Sequence, residues 1–387
     1  MPWQWTTDYV NQTAYELSKH NTVICYRPFH SISPKRVFSK FKMPNVFRIK
    51  KKNIYVYEST QFIPGQRFPF IVLLNEFINV LYVKFSIWKL SRKKTFSVRF
   101  LWFFHPDMYR TAARFGKSFQ TVYDCVDYWT GDKHMTYQER QQIHYEEQQS
   151  LRNASVVAVN SHVLYRIHSH IRKDILLVPQ GFRLDSFSKK IVQIQRIPRI
   201  GPIVGYVGAI NHRLNVRLLI QVARALKRIS FVFVGPIMDI PVQHESRLRS
   251  ELSTLFSLPN VFRLGNVSKH KIPGVIKQFA IGMIPYQTDN LMNKNCYPMK
   301  LFEYFYMGKP VIATSIKELR RFPEFIYIRT DARAWIKAIN FMIAKPWTIK
   351  YQKEQRELAR NNSWQMKIAE ICAAVDNRSA SSKYRSN

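Results

Sequence analysis

Residues 295–314 read Asn295-Cys296-Tyr297-Pro298-Met299-Lys300-Leu301-Phe302-Glu303-Tyr304-Phe305-Tyr306-Met307-Gly308-Lys309-Pro310-Val311-Ile312-Ala313-Thr314. This is a short helix followed at once by a buried strand. Pro298 suits the first helical position, where its missing N–H costs nothing, Gly308 can close the helix and Pro310 forbids its continuation. Lys300 and Glu303, three apart, share one face of the first turn, where free N–H groups and the positive end of the dipole favour phosphate. A cation and an acid together suit a nucleoside diphosphate: the lysine meets phosphate and the carboxylate accepts hydrogen bonds from ribose hydroxyls. A buried helix carrying a surface Lys–Glu pair would show the same local pattern, so the rest of the chain has to decide.

Outward from that stretch, strands and helices alternate. Strands are expected at Ile203 to Val207, closed by Gly208, at Phe231 to Val234, at Val261 to Leu264 and at Ala280 to Ile284, which runs into Pro285 and Tyr286. Val216 to Leu226 is an amphipathic helix. In the amino half, Tyr9 to Ser18, Phe70 to Leu90 and Gln138 to Arg152 read as helices. Thr22 to Tyr26, Ser97 to Phe104, Ser155 to Val159 and Ile175 to Val178 read as strands, and Ser161 is placed to cap a helix. Such alternation predicts an α/β fold with parallel sheets covered on both faces and ligands at the carboxyl ends of strands. The basic, proline-containing run Ser188 to Pro202 is the candidate linker. The expected organisation is 1–187, a linker over 188–202, 203–345, and a helical tail over 346–387 that crosses back to the first domain.

The 387 residues carry 60 Lys and Arg against 25 Asp and Glu, a formal charge of +35 that is spread along the chain. Such a surface seeks polyanions: nucleic acid, anionic lipid or phosphorylated substrates. With 46% hydrophobic and 14% aromatic residues the chain is globular. Cys25, Cys125, Cys296 and Cys372 form no CxxC pair, so neither a zinc site nor a disulfide framework is expected, and a reducing cytoplasm fits. No signal peptide is read at the N-terminus. The apolar stretch Phe68 to Phe85 is interrupted by Asn75, Glu76 and Asn79 and reads as a poor membrane span.

The blocks Ile203-Val204-Gly205-Tyr206-Val207-Gly208-Ala209-Ile210, Phe231-Val232-Phe233-Val234-Gly235-Pro236, Asn260 to Gly265, Met283-Ile284-Pro285-Tyr286 and Pro298 to Thr314 resemble, in order and spacing, the donor half of GT-B glycosyltransferases. Tyr123 to Trp129, Val157 to Ser161, and Val178 to Phe182 with Phe187 resemble the acceptor half. Tyr297-Pro298-Met299-Lys300 is similar to bacterial polysaccharide glycosyltransferases, including the membrane-associated glucuronosyltransferase of xanthan synthesis. The resemblance implies two Rossmann-like domains facing a cleft, a nucleotide sugar on the second and a glycan or lipid-linked acceptor on the first. It implies no metal and no cofactor, the diphosphate being neutralised by side chains. Two departures stand out. Retaining members carry two glutamates eight residues apart, and the position eight before Glu303 is Asn295. GT-B enzymes also open with a strand and a glycine loop, whereas Trp3 to Tyr9 leads straight into a helix; either the start lies downstream of the natural one or that strand is lost.

The resemblance assigns donor binding to Lys300 and Glu303, with Met299 and Tyr297 flanking the nucleotide, Tyr286 against ribose or base, and Gly208, His212 and Arg213 in the first donor loop near phosphate. Retention or inversion at the anomeric carbon stays open; an inverting transfer needs a general base for the acceptor's proton, and a carboxylate at a strand end can serve. Asp127 is the first choice and Asp124 the second, although both could instead cap a turn or pair with arginine. His105, after a strand, lies where some retaining relatives keep a histidine beside the sugar. Phe77 to Lys94 and Lys35 to Lys52 mix aromatic and basic residues and suggest a face that rests on anionic lipid. The expected function is transfer of a sugar from a nucleotide diphosphate sugar to a polysaccharide precursor at the inner face of the cell membrane. A nucleic-acid-binding protein and a nucleotide-sugar epimerase of the same fold are the competing readings; dispersed basic residues without a recognition motif speak against the former, so no nucleic acid partner is expected.

Overall fold

The computed structural model describes residues 9–27, 45–48, 53–64, 68–92, 100–116, 119–188, 191–192, 197–238 and 245–383. Most of the basic run Lys35 to Lys52 lies outside them.

The amino half comprises α1 (Tyr9–Leu17), β1 (Val23–Arg27), β2 (Asn45–Arg48), β3 (Ile54–Glu58), α2 (Pro69–Ser91), β4 (Phe100–Phe103), α3 (Met108–Arg114), β5 (Gln120–Cys125), α4 (Tyr137–Asn153), β6 (Val156–Val159), α5 (His162–His168) and β7 (Leu176–Leu177). Four parallel strands run in the order β4-β5-β6-β7, and β1-β3-β2 form a second sheet in which only the β2–β3 pair is antiparallel. The apolar block Val156–Val159 is buried at every position, as a strand covered on both faces must be. Ser161 caps α5 by accepting from the N–H of Leu164 at 3.1 Å, and Thr136 forms a capping box with Glu139 on α4.

The carboxyl half comprises β8 (Ile203–Val207), α6 (Val216–Ala225), β9 (Ser230–Val234), α7 (Glu245–Phe256), β10 (Val261–Gly265), α8 (Ile272–Lys277), β11 (Ile281–Ile284), α9 (Leu291–Lys294), α10 (Lys300–Tyr306), β12 (Val311–Ala313), β13 (Ile326–Ile328) and α11 (Ala332–Ala344). Its six strands are all parallel in the order β10-β9-β8-β11-β12-β13. The order reverses between β8 and β11, which opens a crevice at their carboxyl ends.

Helix α10 begins at Lys300 with Met299 as its N-cap, so Pro298 stands one residue outside the helix rather than at its first position. Gly308 does close it. At φ +63° it lets its own N–H reach Phe305 O at 2.9 Å and that of Lys309 reach Tyr304 O at 3.0 Å, the paired bonds of a Schellman motif.

Helix α12 (Ile349–Arg360) packs on α10, and α13 (Trp364–Lys383) returns to the amino half, where Ile371 and Val375 join Val122, Val156, Ala158 and Val178 in one cluster. Across this junction Lys367 donates to Asp124 at 2.9 Å, both side chains almost fully buried.

The polar residues that interrupt α2 face inward. Asn75 and Asn79 hydrogen-bond the backbone of residues 60–63, and the Glu76 carboxylate pairs with Arg114 and Thr111. By length and composition alone Phe70–Lys89 is apolar enough to cross a membrane, while these contacts hold its polar residues inside the amino half.

Candidate functional site

The crevice is lined by residues that local sequence delivers to it. Strand β8 ends at Gly208, φ +143°, where a Cβ would stand 3.2 Å from the Lys300 Cε and 3.5 Å from its Nζ. A side chain here would be strained by that φ and would press on the end of the lysine and on the Tyr206 hydroxyl. Lys300 projects from the first turn of α10 and donates to the Tyr286 hydroxyl, just past the end of β11. Its ammonium sits 4.8 Å from the Tyr286 ring centroid and 5.0 Å from that of Tyr206, contacts that stabilise a cation without neutralising it.

Arg213 approaches the same ring, its Cζ 5.0 Å from the Tyr286 centroid, and its Nε donates to Asn293 Oδ1 at 2.8 Å. The turn that aims it is fixed by Asn211, whose Oδ1 accepts from the Arg213 N–H at 3.1 Å. Two cations thus converge at the switch point with no carboxylate bonded to either among the described residues.

Asp127, in the turn after β5, faces this group. It is 4% exposed and its Oδ1 has no hydrogen-bond partner in the protein. Burial pushes its carboxyl above the usual range; the charges of Arg213 and His105 and a hydrogen bond from Tyr9 pull the other way. Cys296 belongs to the same field: burial raises its thiol to about 11 against the opposing pull of Arg213. Tyr9, at the start of α1, is likewise pushed up by burial and by the Asp127 charge. Both halves therefore contribute to one cluster.

Glu303, one turn after Lys300, is half-buried, and burial raises its carboxyl to about 7 against the opposing charges of Lys300 and Lys269. Lys269 also lines a cavity of about 510 Å³ between the halves, with Tyr15, Arg183 and His270. His105 packs edge-on against Trp129 at 4.3 Å, with its Nδ1 2.6 Å from Asp107. His212 meets His134 of the other half edge-on at 5.8 Å. Further contacts close the halves together: Lys133 to Asp289 at 2.6 Å, Asn290 to Asp132 at 3.0 Å, and Glu318 accepting from the Val163 N–H at 3.2 Å.

Three expected site residues are elsewhere. Asp124 is consumed by the buried ion pair with Lys367, so no substrate reaches it. Tyr297 is 4% exposed and packs on Phe302 in the core, which removes it from the nucleotide's flank. Met299, partly buried, packs against Leu17, Trp364 and Ile368 and so joins the two halves. Tyr286, 6% exposed, is the seat of two cations. Tyr9, Asn293 and Cys296 were not legible as site residues; their partners lie in distant segments, and no motif marks them.

Residues 201–345 match the family model described as glycosyl transferases group 1. A curated relative, the putative teichuronic acid biosynthesis glycosyltransferase TuaH of Bacillus subtilis strain 168, is 24% identical over 275 residues, 65% of this chain. The match spans 66% of that relative's length, just under two thirds. Sucrose-phosphate synthase of Thermosynechococcus elongatus superposes with a TM-score of 0.71 at 16% identity, covering 96% of this chain and 93% of its own. The chain has the GT-B fold, and its residues 201–345 resemble the group 1 glycosyl transferases. HepE of Anabaena, solved with UDP and glucose, shares this fold at a TM-score of 0.58 and 15% identity, over 83% of this chain and 86% of its own. In this GT-B chain the switch point, Lys300 and Arg213 all fall inside the matched domain, whereas Tyr9 and Asp127 come from the other half.

Proposed function

We propose that the chain transfers a sugar from a nucleoside diphosphate sugar to a glycan acceptor carried on a lipid, working at the inner face of the cell membrane in polysaccharide biosynthesis. The observation that carries the reading is the convergence of Lys300 and Arg213 on Tyr286 at the switch point, opposite Asp127. Two half-buried cations held by a ring suit a diphosphate, and they supply the charge neutralisation that its departure requires. No divalent ion is assigned a part.

In this reading Glu303 accepts from the ribose hydroxyls, and the cavity beside Lys269 receives the nucleoside. The acceptor hydroxyl attacks the anomeric carbon, the bond to the diphosphate breaks, and the Asp127 carboxylate takes the hydroxyl proton. Its raised pKa makes it a better base than a solvated aspartate. The UDP and glucose seen with HepE make UDP-glucose the reference donor, and TuaH's teichuronic acid assignment favours an acidic cell-surface polysaccharide precursor as acceptor.

The test is a transfer assay with UDP-, GDP- and ADP-sugars and an extracted lipid-linked glycan fraction, read by nucleoside diphosphate release and product mass. Acceptor-dependent release with one donor supports the reading. An epimer formed without acceptor, or no turnover with any donor, contradicts it.

A further inference from the structure

Helix α2 is built inside out. Phe70, Leu73, Leu74, Phe77, Leu81, Phe85 and Trp88 fall at helical spacing along one stripe, each between 42% and 64% exposed. On the opposite side Asn75, Glu76 and Asn79 are buried and fully engaged, and Val80 and Val83 pack on the core with Tyr57 and Phe115. A stripe of this length is more apolar surface than a chain surrounded by water ordinarily leaves uncovered.

We propose that α2 is a membrane seat: its outward stripe lies in the interfacial layer of an anionic bilayer and holds the enzyme flat against it. This deepens the lipid-linked acceptor reading and, for its biological purpose, rests on it. Three observations choose a lipid surface over other occupants. The helix is tied to its own half by the Asn75, Asn79 and Glu76 contacts, so insertion across the bilayer would tear out buried hydrogen bonds and an ion pair, whereas lying in the interface costs none. Lys84, Lys89 and Arg92 cluster at its carboxyl end, the last with its guanidinium 4.1 Å over Trp88, the pairing of aromatic and cation that suits the headgroup layer. The whole chain, at +35, is drawn to negative lipid and repels a second copy of itself. The stripe supplies depth and the charge supplies attraction.

The experiment is vesicle flotation of the full chain with phosphatidylcholine and with mixed phosphatidylcholine–phosphatidylglycerol vesicles, beside the triple variant Phe77→Ser, Leu81→Ser, Phe85→Ser. All three side chains are exposed, so the variant should keep the melting temperature of the parent. The parent is expected to float with anionic vesicles and the variant to partition at least 10-fold less. Trp88 emission should be quenched by brominated acyl chains, a signal absent from Trp88→Phe. Equal flotation of parent and variant, or none at low salt, overturns the proposal. So does a stripe-dependent dimer without vesicle binding, or resistance to carbonate extraction, which marks a spanning helix. Donor binding by the triple variant in solution should equal that of the parent. Its loss would point to damage at the donor site, and a failed flotation with donor binding intact would count against the membrane seat alone.

Discussion

Lys300 and Arg213 converge on the ring of Tyr286, at 4.8 and 5.0 Å from its centroid, although they belong to different loops of the carboxyl half. The Tyr286 hydroxyl and the Asn293 side-chain carbonyl take one hydrogen bond from each, and Asp127 acts on Arg213 through space, so neither cation is bonded to a carboxylate among the described residues. The arrangement is therefore poised to bind phosphate, and its strength should depend on Tyr286.

Tyr286→Phe keeps the ring and deletes the acceptor for Lys300 Nζ. Donor affinity should weaken by about 0.5 to 1.5 kcal/mol, roughly 2- to 10-fold in Kd, while Tyr286→Ala should lose more. Titration calorimetry with the nucleoside diphosphate checks this. Equal Kd values for the parent and Tyr286→Ala would remove the ring from the site.

Asp127→Asn should lower kcat by about 10²- to 10⁴-fold with little change in donor Kd. Because burial raises the folded carboxyl above its usual value, the base is lost by protonation as pH falls, and activity should climb through that raised pKa as pH increases. A parent rate that does not fall on acidification, or an active Asp127→Asn, would show that another group takes the proton.

Lys367→Met strands the Asp124 charge in the core. Stability should drop by about 3 to 5 kcal/mol in urea unfolding, and Asp124→Asn in the same chain should restore part of it. Turnover per folded molecule should survive in the double variant. Complete inactivity there would return Asp124 to the chemistry.

Glu147, buried beside Tyr123 and His168, has its carboxyl raised to about 7 by burial. The folded state then holds a proton that the unfolded chain releases near its ordinary 4.5, so this group lowers stability as pH rises from about 4.5 to 7. The effect is ~3 kcal/mol. Burial depresses His168 to about 4, which costs stability in the opposite direction, as pH falls below about 6.5. Glu147→Gln should remove this group's share of the loss, so that in pH-dependent unfolding the variant loses less stability than the parent between about pH 4.5 and 7. An unchanged pH profile would contradict the shift.

Strands and helices were legible because apolar blocks end in glycine, proline or a capping residue, as at Gly208, Ser161 and Gly308. The roles within a motif were less so. Asp124 and Asp127 look alike in sequence, and what separates them is Lys367, brought from the far end of the chain by α13. Tyr297 and Met299 adjoin Lys300 in sequence but leave the helix start in other directions, one into the core and one toward α1. In α2 the polar residues read as breaks in an apolar run; only the packing shows that they are the buried face. Arg213 reaches Tyr286 because the loop turn stabilised by Asn211 carries it back, a placement that no local pattern announces.

The most direct test of the donor site is calorimetric titration of the parent and of Lys300→Ala with a panel of UDP-, GDP- and ADP-sugars. One donor should bind the parent, and the folded variant should bind it more weakly by about 1.5 to 3 kcal/mol, the loss of a charge-assisted hydrogen bond. Binding that is unchanged in Lys300→Ala, or a parent that binds no nucleoside diphosphate sugar, would contradict the account.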